Sequence, residues 1–146
     1  RSFEMAITSA VCSSFKQQVL VGTHNLTATS GNSFKLALYT SSATLGAATT
    51  AFTTTGQASG TNYTSGGNAL TNITPVLSGT TAVCDFSDLT FGTATITSRG
   101  CMIYNDTNAD KAVCVIDFGA DKTSTAGDFT VVFPSPTATG AIIRLA

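Results

Sequence analysis

His24 is the only imidazole in the chain, and it sits in the run Gly22-Thr23-His24-Asn25. Hydroxyls are abundant, but a nucleophilic Ser or Thr needs a base to take its proton and a third group to orient that base. No G-x-S-x-G elbow presents such a serine anywhere in the 146 residues. His24 therefore reads as a polar residue near a helix end. Carboxylate pairs fare no better. The sole Glu is Glu4, the Asp residues fall in turn-like contexts, and acid–base work of the glycosidase kind has no clear pair. Gly119-Ala120-Asp121-Lys122-Thr123 holds a Lys-Thr pair without the upstream glycine spacing of a phosphate-binding loop. No catalytic residue and no cofactor are expected.

One motif bears on metal chemistry. Asp106-x-Asn108-x-Asp110 sets oxygen-bearing side chains at alternate positions, the opening of a calcium loop in which hard oxygens converge on one ion. Lys111 stands where such a loop takes Gly, and Asp117, the twelfth position, falls at the end of an expected strand. The alternative is a plain Asx-rich hairpin turn. Cys12, Cys84, Cys101 and Cys114 include no C-x-x-C pair, so zinc would need ligands from distant elements. Three of them sit inside apolar runs and read as reduced, buried thiols, a disulfide within the set being the alternative.

The composition narrows the partners. Charged residues make up 10% of the chain, against roughly 25% in a typical domain. Hydroxyls supply the polarity instead, with 27 Thr and 15 Ser. A net charge of -1 and seven scattered Lys and Arg leave no basic footprint for nucleic acid. Residues 36–84 lack any Asp, Glu, Lys or Arg, yet Thr, Ser, Gly and Asn break them everywhere, so no membrane span is expected there. Arg1 is not followed by the apolar core of a signal peptide, and Met5-Ala6-Ile7 reads like a native start. Residues 1–4 are then a remnant of expression or an upstream extension, and 5–146 a single domain. Asn25, Asn62, Asn72 and Asn105 open N-x-T triplets, which so many Thr produce by chance.

Elements must position these groups. Val11, Phe15 and Val19 recur at helical spacing beside Leu20, with Thr8 or Ser9 as cap and Gly22 at the stop, which predicts one N-terminal helix of about three turns. From Phe34 the period becomes two, putting Phe34, Leu36 and Leu38 on one face of a strand. Similar runs at 69–77, 81–86, 94–97, 99–105, 111–118, 129–133 and 141–145 bring the expected strands to eight. The polar stretch 105–110 between two apolar runs is the best hairpin signal, and both its strands should be central. Short or hydroxyl-rich connections exclude β-α-β crossovers. The fold class is mainly β, an antiparallel β-sandwich of jelly-roll or Ig-like kind.

Residues 41–68 form a long, uncharged, Gly- and Thr-rich loop. They read as an extended arm or binding loop, the alternatives being a surface excursion or a short strand near 51–55. Phe52 and Tyr63 are its aromatic anchors, Gly66 and Gly67 lend it backbone freedom, and the arm is expected to be the most mobile part of the chain until a partner covers it.

The runs Phe34-Lys-Leu-Ala-Leu-Tyr39-Thr-Ser-Ser, Tyr63-Thr-Ser-Gly66-Gly67-Asn-Ala-Leu70 and Arg99-Gly-Cys-Met-Ile-Tyr104-Asn, with the Thr-rich stretch up to Thr55, resemble small virion structural proteins of tailed bacteriophages. The likeness runs from Met5 to Ala146 and rests on sheet-and-turn patterns. It implies a non-enzymatic assembly component located in the virion, most simply a decoration or cement protein on the capsid exterior. Its partners would be the major capsid protein or another virion protein, and it would form a homo-oligomer. The rival expectation is a tail fibre or receptor-binding module that reads host glycans through Tyr39, Tyr63, Asn62 and Asn68.

Overall fold

The computed structural model describes residues 6–146, so the extension expected at 1–4 and the start at Met5 lie outside the described residues. In chain order the elements are β1 (Ala10–Val11), α1 (Ser13–Leu20), β2 (Phe34–Tyr39), β3 (Gly60–Thr61), β4 (Asn68–Ala69), β5 (Asn72–Ser78), β6 (Thr81–Phe86), β7 (Leu89–Asn105), β8 (Lys111–Val131) and β9 (Ile143–Leu145). The main sheet runs β1-β8-β7-β2-β4, with β3 also on β7, and a second sheet runs β5-β6-β9. All strand pairs are antiparallel. The molecule is mainly β, with one short helix near the N-terminus, as expected. Among the described residues no helix is long and apolar enough to cross a membrane.

Alternation along β2 explains the layering. Phe34, Leu36 and Leu38 pair with Asn105, Ile103 and Cys101, so these six side chains share one face, while Ala37 and Tyr39 share the other with Met102. Both faces are buried, since every β2 residue except Lys35 is sealed from solvent. On the first face the Phe34 ring meets Phe86 of the small sheet at 5.9 Å, and Phe86 meets Phe133 at 5.7 Å. Each such buried ring contributes about 1.5–3 kcal/mol of apolar transfer.

The opposite face is covered by the loop 41–68. Leu38 receives the N–H of Ala58 on its carbonyl, Thr40 donates to Gly56, and Tyr39 bridges to Gln57, so the loop lies along the free edge of β2. Earlier in the loop, Phe52 donates to Asp110 and Ala112 donates to Thr50, which closes the other side of the sheet beside β8. In between, the Phe52 ring packs on Tyr104 at 4.8 Å and the Tyr39 hydroxyl donates to Thr53 at 2.6 Å. The expected extended arm is thus a fixed layer of the fold. Unpaired edges invite foreign strands, and main-chain bonds from this segment occupy a short length of each.

Several element expectations change: the run at 69–77 is divided between β4 and β5, and β3 lies within the loop 41–68. Val11 belongs to β1, opposite Cys114, so α1 is eight residues rather than three turns. No side chain caps its start: the Ser13 N–H donates to the Ala47 carbonyl, while the Ser9 hydroxyl accepts from Asp117. The runs at 94–97 and 99–105 fuse into β7, and those at 111–118 and 129–133 into β8. Between the pairs Ser98↔Lys122 and Gly100↔Asp117, two steps on β7 match five on β8. This bulge turns β8 sharply enough that Phe118 and Phe129 approach to 6.3 Å. Gly119, with φ +81°, sits at the turn.

Candidate functional site

The first of the two features that could serve a function is a groove between α1 and the small sheet. Phe15 is buried and Val19 packs on the core, which leaves the end of the helix turned outward, with Leu20 and Val21 exposed. Across the groove, register in the small sheet sets Ala82 beside Leu145 and Cys84 beside Ile143. The groove measures about 760 Å³. Its charged lining is Lys16 from α1 and Arg144 from β9, whose guanidinium donates to the Ala138 carbonyl at 3.0 Å.

The second is a knot of amides at the end of that groove. His24 is buried, its ring 4.8 Å from Phe15 and 6.3 Å from Phe34. Nε2 lies 2.8 Å from Gln18 Oε1, and Nδ1 lies 3.0 Å from Asn105 Nδ2. Asn105 is fully buried, and its Oδ1 accepts the N–H groups of Thr107 and Asn108, both at 3.1 Å. That fixes which end of the amide faces the ring. Asn105 donates to Nδ1, so the neutral imidazole carries its hydrogen on Nε2 and donates it to Gln18. Asn32 Oδ1 collects further donors from Asn25 N, Asn105 Nδ2 and Asn108 Nδ2. Burial pushes the His24 pKa below its ordinary value, and the nearby Lys111 cation adds to the effect. Both ring nitrogens are thus engaged by partners within the protein.

The residues singled out from sequence go elsewhere. Asp106 pairs with Lys35 at 3.6 Å, Asn108 donates its amide to the Thr23 carbonyl, and Ala109 and Asp110 take left-handed backbone angles in the β7–β8 turn. This is the Asx-rich hairpin turn rather than a calcium loop. Among the described residues no three His, Cys, Asp or Glu side chains converge as a metal set. Asp117 is held apart by Arg99 at 3.3 Å.

The anchors Phe52 and Tyr63 face inward. Tyr63 packs on Phe91 at 5.5 Å, its hydroxyl donating to Gln57 and accepting from Leu38. Gly66 is buried and gives its carbonyl to the Tyr104 hydroxyl at 2.6 Å. Gly67, at φ +75°, lies so close to the Leu36 carbonyl that a Cβ would collide with it. These four residues hold the loop to its own sheet and offer a partner no protruding anchor. Of the other residues named for glycan recognition, Tyr39 is fully buried, Asn62 is exposed and donates to the Thr93 carbonyl, and Asn68 pairs with Leu36. All four cysteines are free, with Cys12, Cys101 and Cys114 buried.

Sequence reasoning missed both the groove and the knot. The only signal for the knot in the sequence is the recurrence of Asn at 25, 32, 105 and 108, and Asn in turns is ordinary. Leu20, one step beyond the apolar stripe, was the only hint of the groove. No family model, curated protein or solved structure matches the chain.

Proposed function

We infer that the chain is a non-enzymatic structural subunit of a tailed-bacteriophage virion, a decoration or cement protein seated on the capsid exterior. The observation that carries this reading is the apolar border of the groove. Leu20 and Leu145, which line the groove from opposite sides, are 85% and 59% exposed. Single exposed apolar residues are common, but a cluster along a concavity marks a surface made for contact. The groove's charged side chains, Lys16 and Arg144, are both cationic. The surface it fits on the major capsid protein, or on a neighbouring virion protein, is therefore an apolar segment flanked by Asp or Glu. Low charge elsewhere lessens the desolvation cost of close packing, and repeated copies add avidity.

Quantifying the chain in purified particles tests the reading. Copy numbers comparable to the major capsid protein support a cement role, and a few copies per particle would overturn it in favour of the tail. Leu20→Lys should leave the fold intact, since the side chain is mostly in water, and should abolish incorporation into particles.

A further inference from the structure

The His24–Asn105 contact can hold only while the imidazole is neutral. Asn105 Oδ1 already accepts two backbone N–H groups, so the amide cannot rotate to offer its oxygen to the ring. Its Nδ2 also donates to Asn32 Oδ1 at 3.0 Å, which anchors the same end a second time. A proton added at Nδ1 would therefore point an N–H at an N–H in a buried site. On the other side of the ring, Gln18 already accepts from Nε2 and offers the imidazolium nothing new.

The surroundings do not offset that charge. From α1 the groove brings Lys16, from β9 Arg144 and from β6 the Cys84 thiol. Lys111, at the start of β8, repels a proton on the ring. From β2 and β7 the neighbours are the uncharged Phe34 and Asn105. In the β7–β8 turn, Asp106 is paired with Lys35, and Asp110 contributes its backbone carbonyl to Phe52.

The knot also holds a particular piece of chain. Asn32 and Asn25 exchange bonds across the segment between α1 and β2, with Asn25 N donating to Asn32 Oδ1 and Asn32 N to Asn25 O, both at 2.8 Å. Asn108 ties this segment to the β7–β8 turn through the Thr23 carbonyl. Gly22, His24, Asn25, Leu26 and Thr27 form one wall of the groove. We propose that His24 and Asn105 form an acid-operated latch, in which protonation of the imidazole releases residues 22–33 from the β7–β8 turn and opens the groove beside α1. The latch acts whether or not the groove holds a virion partner.

The sign follows from linkage. An opened segment has an ordinary imidazole near 6.5, while the closed one resists protonation. The latch is therefore fully closed above about pH 6.5, and its opening constant rises by up to tenfold for each pH unit below that, levelling off once the closed form also titrates. Native-state hydrogen exchange at about pH 7.5 and about pH 5, corrected for intrinsic rates, reads this directly. The amides of Asn25, Thr27, Gly31, Asn32, Thr107 and Asn108 should lose at least about tenfold in protection in acid, while the central rungs of β2, β7 and β8 keep theirs. Unchanged protection at those six amides, or an equal loss throughout the sheet, would overturn the latch. His24→Gln supplies a neutral acceptor and donor at the same place and should remove the pH response, whereas an undiminished response in that variant would refute the assignment. Should the variant fail to fold, imidazole nitrogen shifts of the unaltered protein decide: a hydrogen on Nε2 at neutral pH is required, and one on Nδ1 is incompatible with the proposal.

Discussion

The phenolic oxygen of Tyr63 takes the backbone N–H of Leu38 at 2.9 Å, filling a rung on the edge of β2 beyond the two residues that β4 pairs. The same hydroxyl donates to Gln57 Oε1, which also accepts the Gly66 N–H at 2.7 Å. Tyr63→Phe keeps the ring on Phe91 and strands the Leu38 N–H. It should cost about 1–3 kcal/mol, the penalty for an unsatisfied buried donor. Chemical denaturation gives the loss, and faster exchange of the Leu38 amide gives its location.

Alkaline pH offers a second test of the same layer. Burial raises the pKa of all three tyrosines in the chain, that of Tyr63 to about 12 and those of Tyr39 and Tyr104 further. An unfolded phenol titrates near 10, so the folded state keeps its full tyrosine contribution below that pH and loses it as pH rises towards the folded-state values. Phenolate absorbance should appear together with loss of the β signal above about pH 10. Tyrosines titrating freely in a still-folded protein would contradict this packing.

Thiol chemistry should be nearly silent in the native state. Burial pushes the Cys12 thiol to about 11 and the Cys114 thiol to about 12, and holds Cys101 well above its ordinary value. The thiolate is the reactive form, so these three should resist an aromatic disulfide reagent at neutral pH. Half-buried Cys84 is the one expected to react, slowly, and all four should react in denaturant.

Phe15 anchors α1. A helix of two turns has little stability alone, and its buried ring lies against His24 and the core cluster. Phe15→Ala should cost roughly 3–5 kcal/mol by thermal or denaturant unfolding. A loss under about 1 kcal/mol would mean that the helix is held by its backbone bonds to the loop.

Much of the fold is legible in residue types. The alternation of Phe34, Leu36 and Leu38 reports a strand because one face of β2 packs on Phe86 and the other on the loop, and the 105–110 turn follows from its Asx residues. The fusion of 111–118 with 129–133 is not legible, because the Thr-, Lys- and Asp-rich stretch between them looks like a connection yet pairs with β7 across a bulge. Uncharged residues 41–68 look like a free arm because low charge permits burial against a partner and against the chain's own sheet equally. Only tertiary register, as in the meeting of Ala58 with Leu38, decides which. The latch was out of reach for a similar reason: His24 and Asn105 are 81 positions apart, and neither is unusual in its local context.

The order of strands also sets the order of folding. β7 and β8 are neighbours in sequence and occupy the middle of the main sheet, whereas β1, β2 and β3 each depend on one of them for pairing. A nascent chain emerging N-terminus first therefore has no centre on which to build until β7 and β8 have both been made. Before that, the apolar run of β2 has only the two-residue β4 and the loop 41–68 beside it. Closing the β7–β8 hairpin takes microseconds, but recruiting β1 means joining Val11 to Cys114 across most of the chain. A chain ending before Leu89 should accordingly remain protease-sensitive, and protection should arrive in one step once the whole of β8 is present.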